Sequence, residues 1–226
     1  MNAAIQTVCF KISQHPEVRG SSVTRSQLHE VIAAFLGYKS HAAMVQEEKS
    51  PEYGYVLSDA EFIILNHAQG RYRAKQFEMS DSAIDICASE LKEGFPVSVW
   101  LSIDEFYDDN QFGFLERIQD DIFSSDDIIN SNAEFEELPY LSQKIMVSSD
   151  LWKATHDWSI EDTGTLQGGY SSEGDRTFNG DTFDVTAKFA FAKAGRAGLI
   201  FLEDDSHCET IANEDWYDPE LFLMPE

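Results

Sequence analysis

The chain contains 226 residues, of which 42% are hydrophobic and 12% aromatic, a composition that excludes wholesale disorder and provides for a full core. It has 41 Asp and Glu against 16 Lys and Arg, and the net charge of −25 disfavours binding to nucleic acid or to an anionic membrane. A basic protein partner fits this charge. A surface that only maintains solubility, or a salty cytoplasm, explains it more simply.

The charge distribution shows where in the chain the acidity lies, and the cysteines indicate the kind of compartment. Residues 1–50 carry five basic and four acidic side chains, so nearly all of the acidity lies beyond them. Three widely spaced cysteines without a C-x-x-C pair favour a reducing compartment over a disulfide framework. No charged and apolar leader is visible, and the longest uncharged apolar run is too short to span a bilayer, so we expect a cytoplasmic protein.

A helix, a tight turn and a second helix are predicted between Thr24 and Val45. Thr24 and Gln27 form a T-x-x-Q capping box, which satisfies backbone N–H groups at a helix start. Gly37 stands where a left-handed residue ends a helix, and Ser40 can cap the next one. The apolar residues of the first helix recur with helical spacing and form one stripe: Leu28, Val31, Ile32, Phe35 and Leu36.

Another helix is predicted before this pair, over residues 2–12, and His15-Pro16 ends it. Its apolar residues again share one face: Ile5, Val8, Cys9 and Ile12. Residues 1–47 therefore form a predicted three-helix module with a small core of its own. Since a module of this size is only marginally stable alone, we expect it to pack on the next domain or to be tethered to it.

The segment from Thr24 to Val45, with Leu-Gly-Tyr-Lys-Ser-His-Ala-Ala at positions 36–43, resembles a known helical module. That module occurs near the start of many bacterial, plasmid and phage-associated proteins of unassigned function, and a similar pattern accompanies some glyoxalase-related proteins. The matching residues are core and capping residues. The resemblance therefore implies a helical fold and no activity, and no functional residue is carried over from it.

Strands and helices are predicted to alternate between residues 58 and 122. Phe62–Leu65 fits a strand or a helix, and we favour a short buried strand followed by a helix over residues 66–77. Ser80 is expected to cap a helix that runs to Glu93. A strand then follows, in which apolar residues alternate with Ser98, Trp100 and Ser102: Val97, Val99 and Leu101. A further helix has an inward stripe: Phe112, Leu115, Ile118 and Ile122.

The last third of the chain is predicted to form an antiparallel meander. Ser148 or Ser149 is expected to cap a short helix that carries Leu151, Trp152 and Trp158. A strand is predicted over residues 183–191, where apolar residues alternate with a period of two: Phe183, Val185, Ala187, Phe189 and Phe191. A turn at residues 194–198 returns the chain as a partner strand over residues 199–202, and residues 165–170 add a third strand. The tail at 214–226 is expected to pack across the sheet. We therefore predict an α+β protein with a helical module at 1–47 and an acidic α+β domain at 51–226.

The acidic centre of the chain lies between Asp104 and Glu137, where twelve acidic residues accompany one basic residue, Arg117. Residues 124–137 are expected to form a mobile acidic loop. We predict a non-enzymatic interaction protein that binds and inhibits or regulates a basic protein partner, like an immunity protein or a nucleic-acid mimic in a bacterial or mobile-element setting. The predicted partner-binding residues are Asp104, Glu105, Asp108, Asp109, Asp120, Asp121, Asp126 and Asp127.

Two other functions remain open. The helix–turn–helix segment could serve a DNA-associated regulator, although the second helix offers only His41, Gln46 and Lys49, with two glutamates among them at 47 and 48. An uncharacterised hydrolase could use the cluster of Asp, His and Cys at 203–209, but no second group of ligands has suitable spacing for a metal. We therefore assign no catalytic residue, no metal and no cofactor, and the oligomeric state is left open.

Overall fold

A computed structural model describes residues 2–20, 22–49, 54–131, 133–170 and 182–213. The chain divides into two compact units, each assembled from three stretches of sequence. Unit 1 comprises Met1–Asn110, Ser148–Ser159 and Ala190–Leu202. Unit 2 comprises Gln111–Val147, Ile160–Phe189 and Glu203–Glu226.

The predicted α+β class is confirmed by helices and a mixed seven-stranded sheet. The helices are α1 (Asn2–Gln14), α2 (Pro16–Arg19), α3 (Arg25–Phe35), α4 (His41–Lys49), α5 (His67–Gln76), α6 (Asp81–Gly94), α7 (Ile103–Arg117), α8 (Gln119–Phe123) and α9 (Asp126–Asn130), with a 3-10 turn at Leu57–Asp59. The strands are β1 (Phe62–Ile64), β2 (Ser98–Trp100), β3 (Ala133–Glu134), β4 (Tyr140–Leu141), β5 (Met146–Val147), β6 (Asp157–Gln167), β7 (Gly169–Tyr170), β8 (Thr182–Ala194) and β9 (Gly198–Ala212).

The helix pair α3 and α4 forms as its local sequence predicts. Thr24 and Gln27 close the capping box in both directions, and Gly37 adopts a left-handed φ of 82° directly after the helix end. The hydroxyl of Ser40 accepts the N–H of Ala43 at 3.1 Å, which caps α4. All five residues of the predicted apolar stripe are buried.

The core of unit 1 joins the first helices to residues further along the chain. The predicted inward residues of α1, such as Val8 and Cys9, pack in one cluster with Ile84, Cys87 and Leu91 of α6. Burial of this apolar surface stabilises both helices together. The predicted domain boundary between residues 47 and 51 stays a prediction. The compact unit that contains residues 1–47 continues to residue 110 and includes two later stretches of the chain.

The short buried strand favoured at residues 62–65 is present as β1, and α5 follows it with Asn66 as its N-cap. β1 pairs in parallel with β2 and antiparallel with β9. Trp100, which alternates with Val99 along β2, is also buried. Its ring contacts those of Phe62 and Phe106, at 5.9 and 5.2 Å between ring centroids.

The antiparallel meander is formed by β6, β8 and β9, which are neighbours in the strand order β2-β1-β9-β8-β6-β4. The expected short helix that carries Trp158 is wrong, since β6 begins at Asp157 and Trp158 alternates inward with Ile160 along it. The apolar residues that alternate along the predicted strand at 183–191 are all buried in β8: Phe183, Val185, Ala187, Phe189 and Phe191. The tail at 214–226, expected to pack across the sheet, lies outside the described residues.

Candidate partner-binding surface

The eight predicted carboxylates are divided between the two units, four in each. Six of them occupy the first turn of a helix, where a negative charge interacts favourably with the exposed N–H groups and the helix dipole. These six are Asp104 and Glu105 in α7, Asp120 and Asp121 in α8, and Asp126 and Asp127 in α9. Part of the acidic pattern in the sequence is therefore explained by three helix starts.

In unit 1, two of the four carboxylates have local structural partners. Glu105 accepts hydrogen bonds from Lys92 at 2.7 Å and from the Leu101 N–H at 3.0 Å, and these bonds hold its pKa below the usual range. Asp109 accepts the indole N–H of Trp100 at 2.9 Å. Asp104 and Asp108 lie one helical turn apart and are exposed. A partner can therefore bind Asp104 and Asp108 without breaking the hydrogen bonds of Glu105 or Asp109.

In unit 2, Asp121 accepts the backbone N–H of Cys208 at 3.0 Å and so anchors β9. The other three, Asp120, Asp126 and Asp127, are exposed. The loop expected over residues 124–137 is wrong in part, because α9 forms there with Ser125 as its N-cap. The helix expected to turn Phe112 inward leaves that side chain 61% exposed, whereas Leu115, Ile118 and Ile122 are buried as predicted.

The negative charge is concentrated in unit 2. The three stretches of this unit contain four Lys and Arg against 23 Asp and Glu, a difference of −19, out of −25 for the whole chain. Arg117, one of these four cations, is itself within 3.5 Å of Glu203. Unit 2 therefore has a strong field of one sign, which attracts basic molecules and repels acidic ones.

Unit 2 also contains a concave site lined by acidic side chains, here called the carboxylate groove. It has a volume of about 360 Å³ and is lined by Glu134, Glu136, Glu137, Gln167, Gly168 and Gly169. The backbone pairing of β3 with β7, which sets Glu134 opposite Gly169, holds the two walls together. Charge density in the sequence indicated this region, but the wall formed by Gln167 and the two glycines comes from tertiary pairing.

Next to the groove, β4 and β5 together form one edge strand on β6, here called the edge strand. Tyr140 and Leu141 pair with Thr165 and Gly164, while Met146 and Val147 pair with Glu161 and Ile160. The register shifts by two residues between the two pairings, so residues 143–145 form a bulge opposite a single residue of β6. Side chains at both ends of the edge strand are exposed: Tyr140 (78%), Met146 (58%) and Val147 (41%).

Asp162 of β6 holds this bulge in place. It is only 1% exposed, and its carboxylate accepts hydrogen bonds from the Ser142 hydroxyl at 2.8 Å and the Gln143 N–H at 2.9 Å. It also accepts the N–H groups of Lys144 and Thr163, at 3.3 and 2.8 Å. Because several donors converge on it, the buried carboxylate is compensated, and it links the bulge to β6.

The cluster at 203–209 lies on β9. Cys208 is buried, and burial raises the pKa of its thiol to about 12, which disfavours the reactive thiolate. His207 precedes it in the strand, so the two side chains point to opposite faces. Within the described ranges, no three His, Cys, Asp or Glu residues are grouped so that they could hold a metal ion.

The helix–turn–helix segment uses several of its polar groups internally. His41 stacks on His29 at 4.8 Å between ring centroids, and its backbone N–H donates to Glu30. Lys39 is exposed, but its carbonyl accepts a hydrogen bond from Arg73 at 2.8 Å. Since base readout requires several outward donors and acceptors on one helix, α4 offers little beyond Gln46 and Lys49.

A buried polar network in unit 1 was not predicted from the sequence. Lys193 is completely buried, and its amine donates to the carbonyl of Arg196 at 2.8 Å. Burial, followed by the charge of Arg196, lowers the pKa of Lys193 to about 7. The Arg196 guanidinium lies 3.4 Å from Glu47, which in turn accepts the hydroxyl hydrogen of Tyr38 at 2.9 Å. This network ties α4 and the Gly37 turn to the β8–β9 turn.

Comparison of the chain with family models, with curated proteins and with solved structures finds no match. Among the described residues, no helix is both long and apolar enough to cross a membrane.

Proposed function

We propose that this protein is a non-enzymatic interaction protein that binds a basic protein partner through unit 2 and so inhibits or regulates it. The observation that carries the proposal is the carboxylate groove, which lies in the unit with a charge of −19. The exposed Asp120, Asp126 and Asp127 extend the same field within unit 2. Mutual repulsion of these carboxylates is relieved when Lys or Arg side chains enter among them.

The groove suits basic side chains better than a small apolar ligand. Glu136 and Glu137 are both exposed, so they stay hydrated until a partner covers them. An ammonium or guanidinium group forms charge-assisted hydrogen bonds with such carboxylates, and the guanidinium of Arg can bind one in a bidentate manner. A long-range field of this kind accelerates association and is screened by salt, so binding through the groove should be fast and salt-sensitive.

The test starts with affinity capture from an extract of the native host at low and high salt. We expect a basic protein that is retained at low salt and lost at high salt. With the purified partner, the variant Glu136→Lys/Glu137→Lys should reduce the association rate by on the order of tenfold or more. Because both side chains are exposed and the change reduces the net negative charge, the variant should not unfold at a lower temperature than the wild type.

The matched control is Asp204→Lys/Asp205→Lys, which makes the same change in charge on exposed residues of β9 in the same unit. It should alter the association rate much less. Both variants weaken the overall negative field equally, but only the groove carboxylates also contact the bound partner. Equal losses in the two variants, or no basic protein in the capture, would contradict the proposal. Asp104→Lys/Asp108→Lys tests separately whether the predicted residues of unit 1 contribute.

The two alternative functions have distinct readouts in the same capture. Promoter DNA retained with the protein and released by Lys39→Glu/Lys49→Glu would favour the DNA-associated regulator. A hydrolytic activity lost in His207→Ala would favour a hydrolase that uses the 203–209 cluster. The buried thiol of Cys208 and the internal contacts of α3 and α4 make both outcomes less expected than binding of a basic protein.

A further inference from the structure

Helix α4 is held in unit 1 by a small apolar contact and a few polar ones. Met44 is the one buried residue of this fully described nine-residue helix. A helix of this length is marginal in water alone, so it depends on contacts with the rest of the unit. Polar contacts with other elements lie in its first turn, at His41, and in its last turn, at Glu47. Such an element can open locally while the core around it stays folded.

The first turn of α4 is held on α3 by a pair of histidines. The rings of His29 and His41 lie 4.8 Å apart between centroids and 17° from parallel, and both residues are half-buried. The backbone N–H of His41 donates to the Glu30 carboxylate at 3.2 Å. Two neutral imidazole rings stack without charge repulsion, so this contact is favourable while neither ring carries a proton.

The surroundings of this pair disfavour a positive charge on it. A proton on one ring faces the other ring, and His41 is the first residue of α4, where the helix dipole opposes a cation. Glu30 favours the charge, but the same carboxylate also lies 4.0 Å from the guanidinium of Arg73 on α5. Other titratable groups near the pair are Arg25 of α3, the Cys9 thiol of α1 beside Arg25, and Lys39 in the turn.

The pKa of His29 reflects these surroundings. Partial burial, followed by the charges of His41 and Arg25, lowers this pKa below its ordinary value, while Glu30 acts in the opposite direction. In a released helix the ring is solvated, and its pKa returns toward about 6.5. The released form therefore binds more protons below about pH 6.5, and docking of α4 weakens as pH falls through that range.

The last turn of α4 is anchored by a different network. Glu47 accepts the hydroxyl hydrogen of Tyr38 at 2.9 Å and lies 3.4 Å from the guanidinium of Arg196. Lys193, on which Arg196, Glu47 and Asp150 act, is a second titrating group at this end, and its pKa is about 7. Below pH 7 its amine is charged whether or not α4 is docked. Its effect on docking therefore belongs above pH 7, and that of the histidines below it.

We propose that α4 is an acid-released element of unit 1, which the stacked pair of His29 and His41 holds on α3 at neutral pH and releases when both rings carry a proton. Release moves Met44 out of the core cluster of unit 1. Helix α3 stays in place, because it also packs against α1, α5 and α6. The inference concerns unit 1 alone, and it goes beyond the partner proposed for unit 2.

Amide hydrogen exchange followed by NMR from pH 7 to pH 5.5 tests the proposal, with each rate corrected for the intrinsic rate at that pH. We expect the protection of the α4 amides from Met44 to Glu48 to fall by on the order of threefold or more. Protection of the α3 amides at Ile32 and Phe35 should stay the same, since these residues are buried in the core. Equal losses in α3 and α4 would show that the whole unit opens and would overturn the proposal.

His29→Phe keeps an aromatic ring beside His41 but cannot take a proton, so the protection of α4 should no longer depend on pH. The matched control is His156→Gln, an exposed histidine of the same unit, which should keep the wild-type dependence. Lys193→Met should also keep it below pH 7. If His29→Phe does not fold, His41→Phe tests the same pair, and it should reduce the dependence because one of the two charges is removed.

Two results would overturn the inference directly. One is protection of α4 that does not change with pH in the wild type, or that changes equally in His29→Phe or, where that variant does not fold, in His41→Phe. The other is a pH dependence that disappears in Lys193→Met or in His156→Gln, because the sensor would then lie outside the pair. Neither result bears on binding of a basic partner by unit 2, so the proposed function is tested separately.

Discussion

Lys193 is completely buried, and its amine donates a hydrogen bond of 2.8 Å to the carbonyl of Arg196. Other charged or titratable groups around it are Glu47 from α4, Asp150 from the preceding loop and the Tyr38 hydroxyl, which lies beside Arg196. The pKa of Lys193 is about 7 in the folded protein and about 10.4 in an unfolded chain. The unfolded state therefore binds more protons between these values, and this contribution makes the fold more stable as pH rises.

We predict that Lys193→Met removes a positive slope in the free energy of unfolding between about pH 7 and pH 8.5, at most about 1.4 kcal/mol per pH unit. Above about pH 8.5 the three buried thiols have the opposite effect on stability. Burial raises their pKa values, so an unfolded chain loses these protons at a lower pH than the folded protein does. The fold therefore becomes less stable as pH rises through that range. Urea unfolding of both proteins across this range gives the difference between their slopes. Identical slopes would show that the amine is charged in the folded protein.

Asp162 is a second buried charged residue, and it holds the bulge of the edge strand. We predict that Asp162→Ala lowers the free energy of unfolding by about 2–4 kcal/mol, because it leaves the N–H groups of Gln143, Lys144 and Thr163 without their acceptor. Asp205→Ala, at an exposed position of the same unit, should change it by less than about 0.5 kcal/mol. Denaturant unfolding measures both, and a similar small change for each would refute the role assigned to Asp162.

At the scale of elements, the turn between α3 and α4 depends on Gly37. Its φ is 82°, and an added Cβ would lie 2.8 Å from Cδ1 of Trp152. We predict that Gly37→Ala destabilises the protein by about 1–3 kcal/mol, because alanine neither favours this backbone conformation nor fits the space. Gly113 in α7 is the matched control, with no atom within 4 Å of an added Cβ.

Gly113→Ala should stabilise the protein by up to about 1 kcal/mol, since alanine loses less backbone entropy than glycine in a helix. Thermal unfolding of the two variants should therefore shift in opposite directions from the wild type. Destabilisation of both by similar amounts would mean that helix propensity and backbone conformation do not control these sites.

At the scale of the whole molecule, the net charge of −25 sets the response to salt. Repulsion among like charges destabilises a compact state, and salt screens it over a distance that falls from about 30 Å at 0.01 M to about 3 Å at 1 M. We predict that the unfolding temperature rises with sodium chloride over this range. Asp204→Lys/Asp205→Lys should show a smaller rise, and an unfolding temperature that falls with salt would contradict this account.

Local sequence determined the elements whose signals lie within a few residues. The capping box at Thr24, the left-handed Gly37 and the alternating residues of β8 each describe one turn, helix end or strand face, so they predict structure without tertiary information. The same alternation contained a further signal. Asp162 follows Trp158 and Ile160 on the inward face of β6, and Lys193 follows Phe189 and Phe191 on that of β8, which places both charged residues inside.

Tertiary structure decided how these elements are used, because pairing partners lie far apart in the chain. The acidic pattern alone could not show that Asp109 would bond to Trp100, or that Asp121 would bond to Cys208. It could not separate carboxylates that start helices from those that line the groove with Gln167 and Gly168. Composition determined the sign of the charge and therefore the class of partner that we propose, whereas the pairing of β3 to β7 decided where that charge forms a concave surface.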